Sequence, residues 1–171
     1  MHENLLRQAR RLARFDPKRP DQANLRRAVS SAYYALFHFL CDRSCRAVIG
    51  TQHDQRRFRQ VLARAFVHGT MKDACKSFKG GTLPGEITKR LPPGTKVPVE
   101  VQDIADTFFE LQDRRHVADY DLTQAFSRSD VLSLVGQVDA AMRNFNGLPN
   151  STEKKFFLAC LWAWKELPRR H

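Results

Sequence analysis

Arg27, Ser31, Tyr34 and His38 recur at three-and-four spacing. On a helix that turns about 100° per residue they share one face. That face is polar within an otherwise aliphatic and aromatic segment, and two readings fit it. Either it is a half-buried face whose Tyr and His keep apolar bodies and wet tips, or it lines a cleft that holds a phosphate or a base. Further along, Arg115 and Asp119 stand one turn apart on the face that carries Ile104, Phe108 and Leu111. A charge on an apolar stripe is costly unless paired. The two are therefore expected either as an ion pair that fixes packing, or as a site where the planar guanidinium of Arg115 takes two phosphate oxygens.

Other chemistry is less well supported. His38, Cys41 and Cys45 share a helix face and invite a metal, but zinc usually gathers ligands from separate segments, and no fourth ligand is suggested. Buried thiols fit them better. Cys41, Cys45, Cys75 and Cys160 contain no Cys-x-x-Cys pair and are too scattered for a disulfide-built domain. No glycine-rich phosphate loop is present, and no cofactor is expected. His53 and His68 read as loop or helix-end histidines, with His53 the one that could still face a cleft.

The 29 Lys and Arg against 18 Asp and Glu give a net charge of +11, which points to a polyanion or an acidic protein as partner. The excess is lopsided. Residues 1–97 hold 20 basic and 7 acidic residues, whereas residues 98–171 hold 9 and 11. Arg7, Arg10, Arg11, Arg14 and the Arg56, Arg57, Arg59 cluster read either as solvated helix faces or as an RNA or DNA surface without sequence preference. No apolar run approaches the roughly 20 residues that span a bilayer. The basic start lacks the apolar segment of a secretory signal, so a cytoplasmic protein is expected.

These side chains must be positioned by helices. A short amphipathic stripe of Leu5, Leu6, Ala9, Leu12 and Ala13 precedes the helix breakers Pro17 and Pro20. A long helix follows from about Asp21 to Val48, with Leu25, Val29, Ala32, Leu36, Phe39 and Leu40 as its core stripe, and Gly50 stops it. Asp54 is placed to cap a third helix with the stripe Phe58, Val61, Leu62, Ala65 and Phe66, ending at His68-Gly69. One helical turn over 70–78 leads into a long connection at 79–98. Helices resume over about 99–121 and 127–146, with Ser127 and Asp130 in capping-box spacing. The tail 152–167, with Phe156, Phe157, Leu161, Trp162 and Trp164, needs a partner surface. No alternating pattern is long enough to build a sheet.

Two of these segments carry a resemblance. Ala28-Val29-Ser30-Ser31-Ala32-Tyr33-Tyr34-Ala35-Leu36-Phe37-His38 resembles the long second helix of HEPN-superfamily proteins, small helical domains of prokaryotic toxin–antitoxin and defence systems. Arg115-His116-Val117-Ala118-Asp119-Tyr120-Asp121 resembles that superfamily's Arg-x-x-Ala-Asp-Tyr-Asp signature, as found in a small single-domain branch. The layout matches over about residues 20–147, and His53 stands where that branch often has a histidine. The first helix and the tail from Ser151 lie outside it.

The resemblance implies an up-and-down antiparallel bundle with a four-helix core that forms a homodimer. It also implies RNA or a nucleotide as ligand, and an antitoxin or nucleotidyltransferase-like protein as partner. Many members cleave RNA without metal, using an Arg and a His with four to six residues between them. The arginine neutralises the phosphate, and the histidine moves the proton of the attacking 2′-hydroxyl. Here Asp119, Tyr120, Asp121 and Leu122 occupy the positions after Arg114 and Arg115 where that His would stand, and His116 projects about 100° from Arg115. Arg46 and His53 match the spacing formally, outside the family's helix.

The expected molecule is one all-α domain over 1–171, with an extra short N-terminal helix and a C-terminal helix over about 151–167. In it Arg115 contacts phosphate with Arg114 beside it, Asp119 and Tyr120 orient the arginine, and His53 is the candidate proton carrier. Arg27, Ser31, Tyr34 and His38 line the cleft. The alternative is a non-catalytic module in which the Arg115–Asp119 pair stabilises a dimer and the basic face binds an acidic protein.

Overall fold

The computed structural model describes residues 1–16 and 18–169, the side chains of 168 and 169 excepted. It is an all-α helical bundle. In chain order the helices are α1 (His2–Arg14), α2 (Gln22–Ile49), α3 (Arg56–Leu62), α4 (His68–Phe78), α5 (Gly85–Thr88), α6 (Val99–Tyr120), α7 (Arg128–Gly147) and α8 (Thr152–Ala163). Tighter 3-10 turns follow α3 at Ala63–Ala65 and α8 at Trp164–Arg169. No described helix is long and apolar enough to cross a membrane.

Capping explains several of the boundaries. Asp21 accepts from the backbone N–H of Ala23 at 3.0 Å and so starts α2. The same helix stops where Gly50 adopts φ +100°, a conformation open to glycine. Ser127 accepts from the N–H of Asp130 at 3.1 Å, giving the N-cap half of the expected box at α7. Ser151 does the same for Lys154 at 3.2 Å.

The chain divides into two compact units, Met1–Phe39 with Thr107–Arg143, and Leu40–Asp106 with the residues from Asn144 onward. The first unit buries Leu6, Ala9 and Ala13 of α1, Leu25, Val29, Ala32, Tyr33 and Leu36 of α2, Phe108 and Leu111 of α6, and Val131, Val135 and Val138 of α7. Polar ties hold its segments. Arg10 pairs with Asp139 at 2.7 Å, Gln22 and the backbone of Phe126 exchange two hydrogen bonds of 2.9 Å, and Arg128 donates to the carbonyls of Ala13 and Asp16.

In the second unit, α8 packs on α4, which is the partner surface the apolar tail requires. Phe157 is fully buried there, its ring 5.0 Å from Phe78 and 5.8 Å from Phe145, and Phe78 also meets Trp164 at 5.8 Å. Lys154 lies over the Phe145 ring at 5.0 Å and donates to the Leu148 carbonyl at 2.6 Å, so its stem is buried while its ammonium is satisfied.

The stretch 54–78 departs from expectation. Gln55, not Asp54, precedes the first turn of α3, and the helix ends at Leu62 rather than reaching His68-Gly69. It buries none of its residues, with Phe58 67% and Val61 68% exposed, and of the expected stripe only Phe66 is buried. His68 and Gly69 open α4 instead. Gly69 reads as a stop by type, yet in a first turn its cost is small. The expected single turn is an eleven-residue helix that buries Met71, Ala74, Cys75 and Phe78 at three-and-four spacing.

All four cysteines are free and buried. Burial raises their thiol pKa values, Cys45 to about 11 and Cys160 to about 12, so they behave as core residues rather than nucleophiles.

Candidate functional site

The first unit contains an open cleft of about 540 Å³ whose walls come from α2 and from the end of α6. Ala23, Arg26, Arg27, Ser30 and Tyr34 face Ala118, Asp119, Tyr120 and Leu122 across it. The wall of α2 is rotated by roughly 50° from the face that Arg27, Ser31, Tyr34 and His38 define on an ideal wheel. Arg27 and Tyr34 are on the wall. Ser31 is instead buried at 6% exposure, and neither it nor His38 lines the cleft.

The centre of the arrangement is Asp119, whose two carboxylate oxygens are both engaged. Oδ2 accepts from Arg115 Nε at 2.8 Å, and Oδ1 accepts from Ser30 Oγ at 2.5 Å. The i, i+4 ion pair between Arg115 and Asp119 anticipated from the stripe is thus present. The guanidinium carbon of Arg115 lies 5.3 Å from the Tyr33 ring centroid and 5.4 Å from that of Tyr34. Partial burial works against its charge, but the Tyr34 oxygen and the Asp119 carboxylate outweigh that and raise its pKa.

Arg115 is therefore a fixed side chain at the back of Asp119 and Tyr34, and it is not itself a wall of the cleft. The exposed cation on the wall is Arg27, for which the described residues provide no hydrogen-bond or ion-pair partner. Tyr120, 68% exposed, lies with its ring tilted against His116 at 5.0 Å and offers a second aromatic ring. Arg114 faces away into a smaller pocket of about 260 Å³ with Glu110, Phe126, Asp130 and Gln137. His53 is exposed in the turn before α3 and does not line the cleft.

Two residues that the sequence pattern does not single out are central. One is Ser30, which an ideal wheel passes over in favour of Ser31. The other is Arg26, whose guanidinium donates to the carbonyls of Val117 at 3.3 Å, Ala118 at 3.1 Å, Asp121 at 2.9 Å and Gln124 at 2.5 Å, with Phe126 stacked 5.5 Å away. It thereby satisfies carbonyls at the C-terminus of α6 and complements the negative end of the helix dipole. No local spacing signals such a long-range clamp. Replacing Arg26 with Met should cost about 1–3 kcal/mol in denaturant unfolding and speed amide exchange of Asp121 and Thr123. Exchange unchanged there would remove Arg26 as the clamp.

His38 is half-buried and stacks on Tyr34 at 6.3 Å. Burial, and then repulsion from the chain's amino group, lower its pKa from the ordinary 6.5. The fold thus prefers the neutral ring. Its contribution to stability is complete above about pH 6.5 and is lost as the pH falls below that value, because the unfolded chain then binds the proton more readily. The denaturation midpoint should drop on the acid side of 6.5, and His38→Gln should flatten that drop.

No three His, Cys, Asp or Glu side chains among the described residues are placed to hold a metal ion. Comparison with family models, with curated proteins and with solved structures finds no match to this chain.

Proposed function

We propose that the cleft between α2 and the end of α6 binds RNA or a nucleotide by its phosphate, as a HEPN-like protein of a toxin–antitoxin or defence pair would. The observation that carries this reading is the charge balance of the cleft. Arg115 and Ser30 neutralise Asp119 from behind, Arg26 is committed to backbone carbonyls, and Arg27 is left facing the opening with Tyr34 and Tyr120 near it. A guanidinium flanked by aromatic rings suits a phosphate with its base stacked alongside. Arg27 supplies the contact to phosphate, and Arg115 is a positioning residue that silences the carboxylate.

Binding rather than cleavage is the function this geometry supports. The positions after Arg115 hold Asp119, with both oxygens engaged, and Tyr120, while no histidine lines the cleft among the described residues. Purified protein incubated with labelled RNA without added metal should retain it uncleaved. Products ending in cyclic phosphate would overturn the binding reading, and a His53→Ala variant would then show whether that histidine moves the proton. Arg27→Ala should weaken RNA binding about tenfold and reduce its salt dependence by about one phosphate contact.

A second reading, a non-catalytic module with an acidic protein partner, draws on the same Arg115–Asp119 pair as a packing device. It predicts association with that partner and no RNA retention at low salt.

A further inference from the structure

α3 is a helix without a buried face, and it is the place where the apolar pattern and the fold disagree most. Phe58 and Val61, one turn apart, are 67% and 68% exposed. Around them stand Arg56, Arg57, Arg59 and Arg64, with no Asp or Glu between Asp54 and Asp73. Arg59 is used structurally, donating to the carbonyls of Gly50 at 2.9 Å and Gln52 at 3.0 Å, which pins the turn before α3. Arg56, Arg57 and Arg64 have no hydrogen-bond or ion-pair partner among the described residues.

An exposed aromatic ring flanked by unpaired guanidinium groups calls for an occupant that is both anionic and flat. A second copy of this chain is a poor one. A two-fold contact would set the same arginines against each other with no carboxylate of this segment to offset them. A membrane surface is also poorly served, because a seven-residue helix offers too little apolar area to lie in a bilayer interface. Single-stranded nucleic acid meets both demands, since its phosphates answer the arginines and its unpaired bases can stack on Phe58.

We propose that α3 and the turn after it form a single-strand nucleic-acid surface in which Phe58 stacks a base and Arg57 and Arg64, on the Val61 side of the ring, contact the flanking phosphates. The cleft at Arg27 is not needed for this, and the two can fail separately. Duplexes are excluded from the stacking contact because their bases are already stacked.

The experiment is a fluorescence-anisotropy titration of the full chain with a labelled oligouridine, and with a duplex RNA of similar length. Phe58→Ala should weaken oligouridine binding about tenfold without altering the slope against salt, and should leave duplex binding unchanged. Replacing Arg57 and Arg64 together with Gln should lower the salt slope by about 1.4. Because Phe58 is exposed, circular dichroism of the variant should match the wild type. Oligouridine binding unchanged in Phe58→Ala, or an equal loss on the duplex, overturns the proposal. So does a loss confined to anionic vesicles or to self-association, each of which hands the surface to that other occupant. Arg27→Ala tested with a mononucleotide reports on the cleft alone.

Discussion

Arg115→Ala should weaken binding of RNA or of a nucleoside monophosphate by roughly tenfold to a hundredfold, although Arg115 does not line the cleft. Removing the guanidinium leaves Asp119 with only the Ser30 hydroxyl, so an uncompensated carboxylate faces the incoming phosphate. The side chains of Arg115 and Asp119 are 22% and 28% exposed, which tempers the effect through solvent screening. A double variant separates repulsion from direct contact. Arg115→Ala with Asp119→Ala should recover most of the lost affinity, because the repelling charge is gone. Affinity that stays low would mean that Arg115 touches the phosphate itself. Helical content should be unaffected in either variant.

The largest loss of stability should come from Phe157→Ala in the second unit. Phe157 is completely buried between Phe78 and Phe145, and truncating such a ring removes its transfer free energy and leaves a cavity among neighbours that α8 and α4 hold in place. A cost of about 3–5 kcal/mol is expected from chemical denaturation. A cost under about 1 kcal/mol would mean that this cluster collapses to fill the space. The contrast with Phe58→Ala, at an exposed ring, should be large: that change is expected to fall within about 0.5 kcal/mol of the wild type.

Long periodic segments are legible in the amino-acid sequence. The stripe Leu25, Val29, Ala32, Leu36, Phe39, Leu40 is buried throughout, and Ser127, Gly50 and Asp21 mark the ends that their residue types predict. The short elements are not legible in this way. In α3 the spacing of Phe58, Val61 and Leu62 is that of a core face, but periodicity reports only that a face exists and not that anything covers it. At His68-Gly69 residue type favours a stop, and burial of Met71, Ala74 and Phe78 as α4 packs on α8 overrides it.

The candidate site is legible in one dimension only. The Arg115–Asp119 pair follows from i, i+4 spacing, because both ends lie on one helix. Ser30 and Arg26 act across to another helix, and the difference between Ser30 and Ser31 is one step of the wheel. An ideal wheel cannot resolve that step until the neighbouring helix is in place. Arg27 falls on the expected face, but its importance depends on what Arg26 and Arg115 are already committed to.

The most direct measurement is a nuclear magnetic resonance titration that follows the arginine Nε–H and tyrosine ring signals while adenosine monophosphate is added. Arg27 Nε–H and the Tyr34 ring should shift and saturate together. Arg115 Nε–H should move little, since its bond to Asp119 persists. Saturating shifts that leave Arg27 and Tyr34 unmoved, or no shifts at millimolar nucleotide, would contradict the cleft as a phosphate site.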